Sequence, residues 1–337
     1  MCVNGKSTDV IPRLKIDGVV LQERNCVTYL GDQFNEKGGN KDLVHERTKK
    51  GQSCIVNAMS LCSDVTMGVY TLQTLFLLYK SLFLQVVLHN AQAWTNIIKE
   101  EITSLQTIQL KYIKRIFHVP SSTPNSVTFL ETGILPIEQE IDVRRLNFLH
   151  HILSLDHDDP VRSMYSQQLK YTFEKNWANN VRDVRESFGI ECTDEEVSQM
   201  TNNKWGNIVK RKAKQYALTL LNTELSKVKI GNSVGQYNQL KRQEYISSLP
   251  PSHARKLFQV RTGVIDLRAI RKYWYNDPTC RLCKDGEEDV EHVVNKCCMI
   301  TRTHIVDNVY SSNEEDMKEV ARRCFEFSAK VEQPSPS

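Results

Sequence analysis

Two residues separate Cys280 from Cys283, eight separate Cys283 from His292, and four separate His292 from Cys297, giving the pattern C-x2-C-x8-H-x4-C. Thiolate sulfur and imidazole nitrogen are the donors zinc prefers in tetrahedral coordination, and a C-x2-C turn sets two sulfurs on one side of an ion. The His-x4-Cys spacing suits a helical turn that returns the remaining two ligands to the same point. Asp285-Gly286 supplies a turn between the halves, and Glu287-Glu288-Asp289 falls where a helix N-terminus favours acids. Protein atoms fill all four positions, so the expected cofactor is a structural Zn2+ with no open position for a substrate. Cys298 is an alternative fourth ligand at a longer spacing. Cys2, Cys26, Cys54, Cys62, Cys192 and Cys324 are scattered and read as small core residues.

The second chemistry the sequence offers is electrostatic. The net charge is only +4, yet Lys204 to Lys272 holds 15 Lys or Arg against three acids, whereas residues 273–337 hold eight basic and 13 acidic residues. So basic a segment inside a near-neutral chain is a footprint for a polyanion, RNA and/or DNA. Two groups carry it. One is Lys204, Lys210, Arg211, Lys212 and Lys214, with Trp205 and Tyr216 between them. The other is Arg255, Lys256, Arg261, Arg268, Arg271 and Lys272, leading into Tyr273 and Trp274. Such cations neutralise phosphates without reading sequence, and an aromatic among them either packs in a core or stacks on an unpaired base. His150-His151 lie side by side on a helix and so point apart, one packed and one at the surface. No Gly-rich phosphate loop and no nucleophile with a distinctive context is present.

The elements that must position these residues are mainly helical. Leu14 to Leu21 carries a hairpin signal at Asp17-Gly18, Val27 to Gly31 is a short strand, and Gly38-Gly39-Asn40 ends this β part. Helical periodicity then predicts helices over 41–62, 71–94 and 100–118, the last with Lys111, Lys114 and Arg115 opposite its apolar stripe. Pro136 opens another helix with Arg144-Arg145 outside, and 156–160 closes it. Residues 161–200 read as a linker or loosely packed helical region, with a capping box at Thr193-Asp-Glu-Glu196. A helix over 204–227, breaks at 229–236 and 249–252, and a disordered tail at 332–337 complete the pattern. The apolar run Leu72 to Ala93 is interrupted by Gln73, Lys80, Gln85, His89, Asn90 and Gln92, so it reads as a buried helix, not a membrane span. Ten cysteines and a polar Met1 to Val10 predict an intracellular protein, nuclear or cytoplasmic.

Taken in order, these pieces resemble the C-terminal half of a non-LTR (LINE-type) retrotransposon reverse transcriptase. Leu14 to Gly18 through Tyr29-Leu30-Gly31-Asp32-Gln33-Phe34 is similar to the end of that family's palm. Leu78 to Leu82, Ala91 to Trp94 and Phe129-Leu-Glu-Thr-Gly-Ile-Leu-Pro136 are similar to the thumb and the region after it. Arg261-Thr262-Gly263 before the Cys-Cys-His-Cys pattern matches the pairing typical of these elements' C-terminal region. The resemblance implies a palm end at 1–40, a thumb-like bundle at 41–160 and a basic helical connector at 161–272. A CCHC zinc knuckle, with the start of an endonuclease-like remnant, falls at 273–310 and a tail at 311–337.

The residues that the family needs for catalysis do not match. Its two metal-binding carboxylate positions lie in an upstream strand and an aromatic-x-Asp-Asp hairpin, and the Asp158-Asp159 pair before Pro160 reads as a capping turn. The resemblance therefore implies a chain without the catalytic aspartates, inactive as a polymerase alone; Mg2+ belongs only to the missing polymerase site. Arg302 to Val306 resembles the beginning of a restriction-like endonuclease, but Asp307, Glu314, Glu315 and Asp316 read as a solvated helix start. Two other readings stay open: a host-used nucleic-acid-binding module, and an inert relic.

Overall fold

A computed structural model describes residues 15–17, 19–20, 26–29, 31–35, 39–62, 68, 71–95, 97–171 and 176–332. Leu14, Gly18, Leu21, Leu30 and Gly38 of the expected β region, Cys2, and tail residues 333–337 lie outside them. Two antiparallel pairs open the described chain: β1 (Lys15–Ile16) with β2 (Val19–Val20), and β3 (Cys26–Tyr29) with β4 (Asp32–Asn35), in the register Tyr29 to Asp32. Next come the helices α1 (Lys41–Leu61), α2 (Thr71–Leu78), a π-helical turn (Tyr79–Phe83), α3 (Leu84–Val87), α4 (Lys99–Ile116), α5 (Asn125–Thr132) and α6 (Ile137–Leu153). After them are α7 (Pro160–Gln168), α8 (Trp177–Ser187), α9 (Asp194–Gln199), α10 (Asn202–Leu225) and α11 (Gly231–Val234). The last are α12 (Tyr245–Ser248), α13 (Pro251–Arg261) and α14 (Glu314–Glu332). No helix among the described residues is long and apolar enough to cross a membrane.

The chain packs into two units made of interleaved segments: Met1–Cys54, Phe83–Ile108 and Ile137–Ala213 form one, and Ile55–Leu82, Gln109–Pro136 and Lys214–Ser337 the other. In the first, α6 is the central element, with Ile137, Ile141, Leu146 and Leu149 buried. Two tryptophans pin neighbours to it. Trp205 of α10 donates its indole N–H to Leu146 O (2.9 Å), and Trp177 of α8 donates to Gln92 O (2.7 Å). His150 is buried with its ring 2.9 Å from Met200 O, and His151 is exposed. Asp32, the first residue of β4, is tied to α1 through a short ion pair with Arg47, and Asn90 donates to its other oxygen (2.6 Å).

Two expectations are corrected in this unit. Of the two expectations for 161–200, the described residues carry the helical one and not the linker, and the helices are packed, because α7, α8 and α9 bury Tyr165, Trp177, Val181 and Val197. Arg145 does not face outward: its guanidinium is buried, donating to Trp94 O (2.8 Å) and paired with Asp142 (3.3 Å). Arg144 reaches Leu88 O (3.1 Å), so both arginines close carbonyls at and beyond the α3 end. The capping box at α9 forms as expected, with Thr193 N 2.8 Å from Glu196 Oε2 and Glu196 N 3.2 Å from Thr193 Oγ1.

The second unit has an aromatic core and carries a further correction. Phe117 stacks on Phe258 of α13 at 3.8 Å and meets Phe76 edge-on at 6.1 Å. Gln109 joins Tyr79 OH (2.7 Å) and Leu135 O (2.8 Å). Lys114, expected on the polar side of α4, is instead buried. Its ammonium donates to Ser121 O (2.6 Å), Thr123 O (2.7 Å) and Asn125 Oδ1 (2.8 Å), fastening the loop before α5, and burial lowers its pKa. Its three donors find three acceptors, which is what makes burying an ammonium tolerable.

Candidate metal centre

The Cys–His cluster begins where α13 ends. From Gly263 the chain runs through turns to a bridge between Thr279 and Glu287, which pinches the segment carrying Cys280 and Cys283 into a tight loop. Cys280 N donates to Gly286 O (3.0 Å) and Lys284 N to Cys280 O (3.1 Å). Lys284 and Gly286 adopt positive φ, +60° and +74°. At Gly286 the requirement is strict: a Cβ there would lie 2.9 Å from His292 Nδ1. A glycine at this position lets the imidazole lie against the turn.

His292 opens a π-helical turn (His292–Lys296), and Asp289 Oδ1 accepts from its backbone N–H (2.7 Å). Cys297 N closes the turn onto His292 O (2.7 Å), so the His and Cys ligands come from its two ends. The outcome is a compact donor set. One ligand atom from each of Cys280, Cys283, His292 and Cys297 lies within 4.8 Å of every other, and these residues can hold a metal ion. Cys280 Sγ is 3.9 Å from Cys297 Sγ, and Cys283 Sγ is 3.2 Å from His292 Nε2. A tetrahedron with metal–sulfur bonds of about 2.3 Å has edges of roughly 3.8 Å, so the spacing fits. Cys298 is exposed and outside the set. Burial raises the Cys280 thiol and pushes Cys297 up to about 12, while Cys283 lies below its ordinary range despite its own desolvation, helped by the Asp285 backbone. A bound cation would stabilise all three as thiolates.

Glu288 holds the cluster to the chain before it, and sequence reasoning missed its role. Expected beside a helix N-terminus, its carboxylate is fully buried instead. It accepts from Arg268 N (3.1 Å), Arg281 N (2.7 Å) and the Arg281 side chain (2.9 Å), and Glu288 O accepts from Ala269 N (3.1 Å). On the other side, the fully buried Arg323 of α14 donates to Val294 O (2.7 Å) and His304 O (2.6 Å). The one signal for these roles in the sequence is the crowding of acids and arginines near the ligands.

The cationic residues divide sharply. Lys204, Lys210 and Arg211 are exposed on α10, in no ion pair among the described residues, and with Asn207 they occupy roughly 120° of the helix circumference at 100° per residue. Lys212 is turned off that stripe and half-buried, its Nζ near Gly189. Lys214, also half-buried, belongs to the other unit. In that unit Arg255 is buried and donates to Ile116 O (2.9 Å), and Lys256 is half-buried. Arg261 is buried on Glu131 (2.6 Å). Arg268 pairs with Asp277 (2.9 Å), Arg271 donates to Val264 O (2.6 Å), and Lys272 is exposed, 3.8 Å from Glu287. Arg255 and Arg261 therefore leave the expected nucleic-acid face: their guanidinium groups are engaged inside the protein.

Arg261 is the anchor of a buried network. Glu131 accepts from Arg261 Nε, from Tyr245 OH (2.9 Å) and, at very short range, from Tyr237 OH. Arg261 also donates to Tyr310 O (3.0 Å). Burial raises the Tyr237 and Tyr245 hydroxyl pKa values, and the Glu131 charge raises them further. Burial works most strongly against the Arg261 charge, but Glu131, Tyr237 and Tyr245 together outweigh it and hold the group protonated. The turn after Glu131 is equally constrained. Gly133 has φ +63°, and a Cβ there would fall 2.2 Å from Arg242 N. Compared with protein-family models, curated proteins and solved structures, the chain matches none.

Proposed function

We propose that this chain binds nucleic acid, with one structural Zn2+ held by Cys280, Cys283, His292 and Cys297. The observation that carries the nucleic-acid reading is the exposed stripe of Lys204, Lys210 and Arg211 on α10, three cations that no acid among the described residues neutralises. Unpaired cations in a row repel one another and cost the folded chain something, a cost a polyanion removes on binding. The donor set has three sulfurs and one imidazole, the protein-filled set of structural zinc sites. The metal's chemistry there is to cross-link a segment too short to have a core of its own.

Within this reading, the chain is the C-terminal part of a LINE-type reverse transcriptase, and its role is to hold template and primer. Support comes from the order of the motifs and from the way two of them meet. Glu131 of Phe129-Leu-Glu-Thr-Gly133 and Arg261 of Arg261-Thr-Gly263 form one buried ion pair across 130 residues of sequence. Measurable primer extension by the chain alone would overturn the non-catalytic part of this proposal.

The binding test is charge reversal of Lys204, Lys210 and Arg211 to Glu, read by anisotropy with labelled single-stranded and duplex oligonucleotides of about 20 residues over a salt series. Each phosphate contact contributes about 0.7 to 0.9 to the slope of log affinity against log salt. The triple variant should bind more weakly, with the slope reduced by about 2 to 3. Unchanged affinity and slope would refute it.

A further inference from the structure

Of the four tryptophans, Trp94, Trp177 and Trp205 are buried, and Trp274 stands 78% exposed beside a Tyr273 that is fully exposed. Large aromatics are seldom left so bare, and two in succession form a contact surface. Their neighbour Tyr275 shows that the sequence alone does not dictate this. Tyr275 is half-buried under the guanidinium groups of Arg281 (5.3 Å) and Arg268 (5.8 Å), and its hydroxyl faces Asp266.

The backbone that carries the pair is tied into turns. Trp274 N donates to Arg271 O (2.8 Å), the Arg271 guanidinium lies 5.7 Å from the Trp274 ring, and Arg271 itself donates to Val264 O. Arg268 N and Ala269 N are fastened to the buried Glu288. Nearby acids are already engaged: Asp266 with Arg281 and Asp277 with Arg268, while Glu287 has only a long contact to Lys272. Arg271 has a carbonyl partner and no acid among the described residues, so its charge is uncompensated.

From this juxtaposition we infer that Tyr273 and Trp274 stack on the bases of single-stranded nucleic acid, with Arg271 and Lys272 meeting its phosphates. Aromatic faces give base contacts that duplex DNA, its bases stacked internally, cannot offer, so the site selects single strands. The inference rests on the nucleic-acid reading above and adds to it a strand preference and a second contact point.

Because the other tryptophans are buried, Trp274 is the one reached by acrylamide and the one that emits furthest to the red. Titration of the full chain with an oligo-dT of about 20 residues should quench that component and protect it from acrylamide. Trp274→Ala with Tyr273→Ala should lower single-strand affinity roughly tenfold or more, leave duplex affinity and the salt slope unchanged, and spare folding, since neither ring is packed. Trp274→Phe should restore part of the loss. Single-strand binding without quenching, unaffected by the double variant, would overturn the stacking site and leave the α10 reading standing. Quenching by an apolar peptide but not by the oligonucleotide would overturn it in favour of a protein partner. Binding of neither single strand nor duplex would overturn both readings.

Discussion

Removing the Glu131 carboxylate is the sharpest test of how the second unit is built. Glu131 is fully buried and receives Arg261, Tyr237 and Tyr245, so Glu131→Leu leaves a guanidinium and two hydroxyls in the core without their acceptor. Breaking a buried pair from one side costs about 3 to 5 kcal/mol, because the remaining charge is neither paired nor hydrated. Arg261→Met should cost a similar amount, since the carboxylate keeps only the two tyrosines. The double variant replaces the pair with apolar atoms of comparable volume. Its loss should fall well below the sum of the singles, by at least about 2 kcal/mol of coupling. Urea unfolding at pH 7 measures all four corners of the cycle, and duplex affinity measured on the folded variants completes the assay. Additivity within about 0.5 kcal/mol would refute the buried-pair reasoning. A fall in affinity of folded Arg261→Met, with a shallower salt slope, would return Arg261 to the phosphate face.

Elemental analysis of the purified chain should find one zinc per molecule. Cys283→Ser should abolish it, and Gly286→Ala should weaken retention against a chelator, since a methyl group meets the His292 ring at 2.9 Å; zinc content unchanged by Cys283→Ser would sink the site. The His253 ring packs on Phe325 at 4.6 Å, and burial, then Arg322, lowers its pKa from 6.5. The unfolded chain therefore takes up this proton first, and stability falls as pH drops below about 6.5. His253→Phe should flatten the urea midpoint between about pH 6.5 and 5, and an unchanged pH profile would refute that assignment.

The local features of this protein were readable from its residues. The Cys280, Cys283, His292 and Cys297 spacing pointed to the donor set because each ligand pair sits within one turn, where covalent geometry leaves little freedom. The Thr193 capping box and the starts of α1 and α6 arise from the same short range. Side-chain placement over long range was not readable. Lys114, Arg145, Arg255 and Arg261 look like solvent-facing cations in any window of sequence, yet each is buried because carbonyls or a carboxylate from other segments meet its donors. Residues 161–200 looked loose because their apolar positions are few, and Trp177 and Val181 count as core only once α6 is beside them.

Tyr273, Trp274 and Tyr275 show the division most plainly. The sequence by itself determined that three aromatics come after two cations, ahead of a metal-binding turn. Only the tertiary structure decided which of them are free. Asp266, Arg268 and Arg281 converge on Tyr275 because Glu288 draws the turns together, while no packed element among the described residues reaches the other two rings. Spacing along the chain governs what neighbours in sequence can do, and burial depends on segments that sequence order alone does not bring together.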